Sequence, residues 1–417
     1  RRRDREITCF PTRTGTSEMT AQTTTAGSLP RTDALLQANA ARSFGPDGLT
    51  LEGGEEHEAL VAAAVADVVA RQRAAGVTLV GDGEFGKAMA HAVDYGAWWS
   101  YSFQRASGLE LTEATPQDQA SRKSTPGHLV LTSFADRRDR QAFSRVYADP
   151  VDRGGVDTGR IATGFPTTTG PLHYTGHQAV TSDIAHLTAA LRPGEQGFLT
   201  AISPGSAARV ANTFYATDEE HIWAWAEALR EEYAAITAAG LVVQIDDPSL
   251  AENWDQITPE PTVADYQAFT RIRVEALNHA IAGLPRHLVR LHLCWGSWHG
   301  PHTTDIPLAD ILPVVLEANV GQVSFEAANV RHEHEWSVWR DVALPDDLVL
   351  VPGVVSHATP VVEHPDLVAQ RIRRFTDVVG SERVIASTDC GLGGRVHPDI
   401  AWAKLEALGE GARRAAR

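Results

Sequence analysis

From residue 23 onward, short apolar runs alternate with longer segments whose apolar positions recur every three or four residues. The short runs are TTTAGS (23–28), VTLVGDGE (77–84), GFLTAIS (197–203), LVVQIDD (241–247), VRLHLC (289–294), QVSFE (322–326), LVLVPGV (348–354) and VIASTDC (384–390). Between them, Ile222, Trp225, Leu229, Tyr233 and Ile236 mark one helical face. Val368, Ile372, Phe375 and Val379 mark another, which Gly380 stops. Eight strands in βα alternation predict an α/β fold, a (β/α)8 TIM barrel. A doubly wound open sheet is the alternative, but no glycine-rich phosphate fingerprint follows the first strand.

Two stretches break the alternation. Residues 88–160 form a long polar insertion carrying WWSYSF (98–103), and residues 161–196 contain TGFPTTTGPLHYTGH before a helix expected around 183–191. Together they predict a subdomain inserted after strand two, at about 88–196. Segments of this kind serve as lids, extra hairpins or oligomer contacts. The aromatic cluster inside it reads as packing in preference to a ligand cage. Residues 1–18, RRRDREITCFPTRTGTSE, are arginine-rich and polar without the apolar core of a secretory signal. They read as a disordered leader, with a single barrel domain over 19–417.

Charge and cysteine content narrow the function. Lys and Arg number 37 against 53 Asp and Glu, a formal charge of −16, which argues against nucleic acid as a partner. No run reaches the ~18 apolar residues of a membrane span. The three cysteines, Cys9, Cys294 and Cys390, are too few and too odd for a disulfide framework, so a reducing cytoplasm is expected.

A barrel gathers its chemistry at the C-terminal ends of its strands. Here those ends carry Gly27-Ser28, Asp82-Gly83-Glu84, Ser203, Asp246-Asp247, His292-x-Cys294, Glu326, Ser356-His357 and Asp389-Cys390. Residues two apart on a strand share a face, so His292 and Cys294 can reach one ion. With Glu326 and Cys390 from later strands they offer nitrogen, sulfur and oxygen donors of the kind zinc accepts; magnesium and calcium prefer all-oxygen sets. Spacing alone leaves a second reading open, in which both cysteines are small buried hydrophobes.

The motifs TTTAGSLPRT (23–32), GDGE (81–84), QIDDP (244–248), HLC (292–294), SFE (324–326) and TDCGL (388–392) resemble, in order and strand placement, the catalytic half of cobalamin-independent methionine synthases. The resemblance covers the chain from Thr23 to its end and is closest to core-only forms without a second, N-terminal barrel. It implies a (β/α)8 enzyme with Zn2+ held by His292, Cys294, Glu326 and Cys390. It also implies a pocket of Gly27, Ser28, Glu84, Asp246 and Asp247 for the amino-acid part of homocysteine. Acids there would hold the ammonium, and the Gly27-Ser28 backbone would meet the carboxylate. His357 stands near the place of the family's proton-handling histidine, shifted by about one residue.

The implied partners are a small thiol, homocysteine first, and a methyl or alkyl donor. A thiol of pKa ~8.5 is mostly protonated at neutral pH, and zinc coordination deprotonates it. A thiolate-rich site of this kind keeps a bound sulfur nucleophilic instead of activating water. The chain departs from the family after strand three, where it reads SPGSAARVANTFY, and in its acidic pair, which is Asp246-Asp247 in place of Asp-Glu. The segment CWGSWHGPHTTDIPL (294–308) is similar to epoxide:coenzyme M transferases, so addition of a thiol to an epoxide is the alternative reaction. A zinc- or thiol-binding module without turnover is the alternative of another class, disfavoured by polar groups at so many strand ends.

Among other candidates, Lys87 is a possible contact for a carboxylate or sulfonate, and Asp389 a support for its strand end. His299 and His302 read as loop packing. The charged run at 331–335 reads as the exposed start of a helix.

Overall fold

The computed structural model describes residues 21–87, 97–112, 123–132, 136–148 and 165–417. The expected leader and parts of the expected insertion lie outside them. Eight parallel strands form one sheet: β1 (Gln22–Thr23), β2 (Val80–Gly81), β5 (Gly197–Ile202), β7 (Val242–Asp246), β8 (Val289–Leu293), β9 (Gln322–Phe325), β10 (Val349–Val355) and β11 (Ile385–Thr388). Neighbours in the sheet follow chain order, and β11 returns to pair with β1. The Thr78 and Leu79 amides donate to the Thr23 carbonyl at 3.1 and 2.9 Å, which joins β2 to β1 and closes the ring. The strands coincide with the eight apolar runs, and the sheet is the expected (β/α)8 barrel.

Side chains alternate across a strand, and here both faces are buried. Outward positions such as Val243, Ile245, Leu291, Leu293, Val323 and Phe325 join the main core beneath the helices. Inward positions change character along the strands. Leu79, Phe198, Val242, Val351 and Ile385 form a separate apolar plug at the N-terminal end of the barrel. Above them, Gln244, Arg290 and Gln322 lie side by side in register. One inward step further come Asp246, His292 and Ser324, again in register. The interior thus passes from apolar side chains to two amides and a guanidinium, and then to Asp, His and Ser toward the mouth, where barrels place their chemistry.

Helices Glu55–Ala75, His177–Ala190, Asp218–Ala238, Val263–Ala280, Leu308–Val315, Pro365–Val379 and Pro398–Ala415 surround the sheet. The helix expected near 183–191 begins earlier, at His177, and packs on the helices Glu55–Ala75 and Asp218–Ala238. Helix Pro365–Val379 opens on a proline and stops at Gly380, whose φ of +88° suits glycine. Between β9 and β10 the chain makes a 3-10 turn, Glu333–Arg340. Among the described residues no helix is long and apolar enough to cross a membrane.

Outside the barrel, β3 (Ala106–Thr112), β4 (Phe165–Tyr174) and β6 (Ala211–Asn212) make a small mixed sheet. The aromatic stretch before β3 is packing: Trp99, Tyr101 and Phe103 are buried, and the Tyr101 hydroxyl accepts from the Ile202 amide. Arg105 anchors this layer, donating to Asp183 at 2.5 Å and Glu232 at 2.7 Å, all three buried. Removing one partner of a buried ion pair leaves the other charge uncompensated. Arg105→Leu is therefore expected to destabilise the protein by about 3–5 kcal/mol, read as a lower midpoint in thermal unfolding.

Candidate active site

His292 on β8, Cys294 just beyond it and Cys390 just after β11 meet at the barrel mouth, their ligand atoms all within 4.8 Å of one another. Ser324, the register neighbour of His292 on β9, meets its Nδ1 at 2.9 Å. The other ring nitrogen, Nε2, is buried and has no hydrogen-bond partner among the described residues. A serine hydroxyl thus orients the imidazole and leaves one nitrogen for a ligand, the arrangement expected around metal-binding histidines. The cysteines are unequal. The bond to Cys390, then burial, pushes the Cys294 thiol well above its ordinary range. The same bond, opposed by burial and aided by His292, holds Cys390 well below its own. Two sulfurs and one unpartnered imidazole nitrogen fit a thiophilic ion such as zinc and suit magnesium or calcium poorly.

Glu326 belongs to the adjoining group, with His357 and Asp389, whose ligand atoms also lie within 4.8 Å. Its Oε1 accepts from the Trp295 amide at 2.9 Å and its Oε2 from the Asn329 side chain at 2.6 Å. Burial pushes its carboxyl up to about 8, against the pull of positive His332. Asp389 supports this corner: its Oδ1 accepts from the Ala327 and Ala328 amides, both at 2.8 Å. The carboxylate immediately before Cys390 therefore shapes the loop that follows Glu326. His357 is buried, with Nδ1 unpartnered among the described residues, and burial lowers it to about 4. His299 Nε2 meets the His357 carbonyl at 3.3 Å.

The expected pocket residues surround this cluster. Ser28 accepts at its carbonyl from the Leu392 and Gly393 amides, which ties it to the loop after Cys390. Gly27 has φ of +114°, and a Cβ there would stand 3.0 Å from Glu84 Oε1 and 2.6 Å from Thr200 Cγ2. Only a glycine lets the backbone lie so close to that carboxylate. Glu84 itself adopts φ of +63°, a left-handed conformation seldom seen outside glycine and common at functional sites. Arg31 holds the turn by donating to the Glu84 and Lys87 carbonyls. Asp246, beside His292, accepts from Gln244 at 2.9 Å, and burial pushes it up to about 7. Asp247 Oδ1 accepts from the hydroxyls of Ser206 and Ser249, so one of its oxygens ties down the loop after β7. Lys87 is buried, donates to Thr200 and lies 4.2 Å from the Tyr101 ring centroid.

One wall escaped the sequence reading. In the run at 331–335, His332 and Glu335 are buried, which corrects the expectation of a solvated helix. His332 stacks on Trp295 at 3.9 Å and pairs with Glu335 at 2.8 Å and Asp305 at 3.1 Å. Asp305 also pairs with His302. Next to this wall, Trp298 is sandwiched between His302 and Arg137, each 3.9 Å from its ring centroid. Its indole N–H donates to the Tyr147 hydroxyl at 3.0 Å. Residues 136–148 form a strap across two loops. Arg137 pairs with Glu252 beyond β7, and Asp139 accepts from Thr303 beyond β8. No spacing rule joins residues so far apart in the chain; paired hydrogen-bonding types in both loops were the available signal.

Two outcomes are expected. Ser324→Ala frees the His292 ring and should cost about 10–100-fold in zinc affinity, measured by competition with a chromophoric chelator. Burial opposes the charged form of His332, but Asp305 and Glu335 overcome it and raise the imidazole from 6.5 to about 10. A raised folded value stabilises fully below the unfolded value and is lost as pH rises through the folded one. The destabilisation by His332→Gln should therefore be largest near pH 6 and shrink toward pH 10, followed by thermal unfolding across that range.

Residues 200–413 match the family model described as the catalytic domain of cobalamin-independent synthases. A 2-hydroxypropyl-CoM lyase from Xanthobacter autotrophicus is 24% identical over 403 residues, covering 88% of this chain and 86% of that protein. A methionine synthase from Thermococcus kodakarensis is 28% identical over 182 residues, 43% of this chain and 46% of its own length. The match thus spans about half of that synthase. The fold is like that of a B12-independent methionine synthase from Shewanella, solved with selenomethionine. The TM-score is 0.65 at 19% identity, covering 94% of this chain and 97% of that one. The barrel, the order of its strand-end motifs and the family match agree: the chain belongs to the cobalamin-independent synthase catalytic-domain family.

Proposed function

We propose that the protein transfers an alkyl group to the sulfur of a small thiol, and that the reaction is methylation of homocysteine to methionine. His292, Cys294 and Cys390 would hold Zn2+, with Glu326 as a fourth ligand once it exchanges the Trp295 amide or Asn329 for the ion. Zinc bound there would lower the pKa of a substrate thiol and keep its sulfur nucleophilic. The observation that carries the choice of thiol is the pair of buried carboxylates, Glu84 and Asp246, beside the sulfur–nitrogen cluster. Two acids favour an ammonium group, which homocysteine has and a sulfonated thiol lacks. The Gly27-Ser28 backbone, pinned to the loop after Cys390, would meet the amino-acid carboxylate. In the reaction the thiol gives up its proton and its sulfur bonds to the methyl carbon. The bond from methyl to donor breaks, and its electron pair stays with the donor. The buried, unpartnered Nδ1 of His357 supports a role in holding or moving a proton for that leaving group.

One observation favours a second reaction: the 2-hydroxypropyl-CoM lyase is similar over 88% of this chain. On that reading a thiol such as coenzyme M adds to an epoxide carbon, the C–O bond opens, and the oxygen takes up a proton. Assays separate the two. About one zinc per chain is expected in protein prepared without chelator. Homocysteine with a methyl-folate or methylcorrinoid should yield methionine, whereas coenzyme M with epoxypropane should yield no thioether. The reverse result assigns the second reaction, and metal-free protein with full activity would sink both. Cys390→Ser should lose metal affinity and turnover together.

A further inference from the structure

Arg290 is fully buried inside the barrel, one inward position below His292 on β8. Successive inward positions on a strand are separated by about 6–7 Å. A guanidinium removed from water is costly unless opposite charge or good acceptors meet it. Its direct contacts are neutral. Nε donates to Gln322 Oε1 at 2.9 Å, Nη1 donates to Gln244 Oε1 at 3.1 Å, and the Phe198 ring centroid lies 4.9 Å away. Nη2 is buried without a hydrogen-bond partner among the described residues. The charge acting on it is that of Asp246, which it does not touch.

Donor chemistry links the two. Arginine has only donors, so each amide it meets must turn its oxygen toward it. Gln244 is then obliged to point its NH2 the other way, where it donates to Asp246 Oδ1 at 2.9 Å and to the Ala26 carbonyl at 3.0 Å. Those two acceptors belong to opposite sides of the expected substrate pocket: the carboxylate on β7 and the backbone entering Gly27. A Gln244 side chain flipped by 180° would present its oxygen to both and repel them. Arg290 forbids the flip.

We propose that Arg290 is a positioning residue for the substrate side of the mouth. Acting through Gln244, it holds Asp246 as an acceptor aligned for an ammonium-bearing thiol and fixes the approach of the Ala26–Gly27 backbone. This rests on the reading of Asp246 as an ammonium partner, and the experiment separates the two. Arg290→Met, Asp246→Asn and their double variant are compared with the parent protein by thermal unfolding. Each single change should lower the midpoint by roughly 4 °C, and the double should fall clearly short of the sum. Calorimetric titration of the zinc-loaded proteins then compares homocysteine with 4-mercaptobutanoate, which lacks only the ammonium. Arg290→Met should weaken homocysteine about tenfold or more and leave 4-mercaptobutanoate nearly unchanged. Arg290→Lys, also a pure donor, should restore most of the loss. If Arg290→Met does not fold, Gln244→Leu cuts the same link and should give the same split between the thiols. Additive midpoints, or equal losses for both thiols, would overturn the proposal. Non-additive midpoints in a protein that binds neither thiol would uphold the link from Arg290 to Asp246 and overturn the ammonium reading instead.

Discussion

Too many acids share one dry place at the top of this barrel. Asp82, Asp246, Glu326 and Asp389 are all buried there, and burial pushes their carboxyls up to about 7, 7, 8 and 6. Glu84 and two cysteines join them. Carboxylates crowded out of water either take up protons or recruit cations. Much of the surrounding structure supplies those cations. Lys87 acts on Asp82 and Asp246 from just beyond the second strand, Arg290 faces Asp246 from inside the barrel, and His332 acts on Glu326 from behind Trp295. Even so, acids outnumber these cations at the mouth, and on the proposed function a divalent ion at the sulfur–nitrogen cluster and an ammonium at the Glu84–Asp246 pair would complete the electrostatics.

The same constraint explains the layering inside the barrel. An apolar plug closes the N-terminal end, and the Gln244–Arg290–Gln322 layer above it is rich in donors. Acids and the candidate metal ligands sit on the next step. The intermediate layer lets Arg290 act on the mouth without occupying it, because an amide passes on the direction of hydrogen bonding while adding no charge. Ser324 and Asp389 work similarly around the sulfur–nitrogen cluster, one orienting an imidazole and the other shaping the loop after Glu326.

Much of this was legible in the chain because barrel strands impose a strong local signal. Runs buried on both faces stood out as eight apolar segments, and the polar residue ending each run pointed to the mouth. His292, Cys294 and Cys390 are brought together as their strand-end positions suggested. Less legible was anything decided by contact between loops. The charged run at 331–335 has the composition of a solvated face, yet Asp305 and Trp295, some thirty residues earlier in the chain, bury His332. Asp247 looks like a second pocket acid but accepts with one oxygen from two serines. Ser324, Gln244 and Arg290 gave no sign of their roles, since a lone polar residue in a strand has many fates and only register shows which neighbour it meets.

The closing seam of the ring has a consequence for how the molecule comes into being. The first strand contributes only two ladder residues; residues 76–79 hold it on one side, and the far end of the chain holds it on the other. Thr24 donates to Ala386, Ala26 to the Thr388 hydroxyl, and Leu392 and Gly393 to Ser28. Gly27 and Ser28 therefore reach their final places only after the last strand has been synthesised and docked. Cys390 follows two residues after that strand. Until that strand docks, His292 and Cys294 lack the third member of their cluster and Ser28 lacks the amides that fix its carbonyl, so both corners of the mouth are completed in one step.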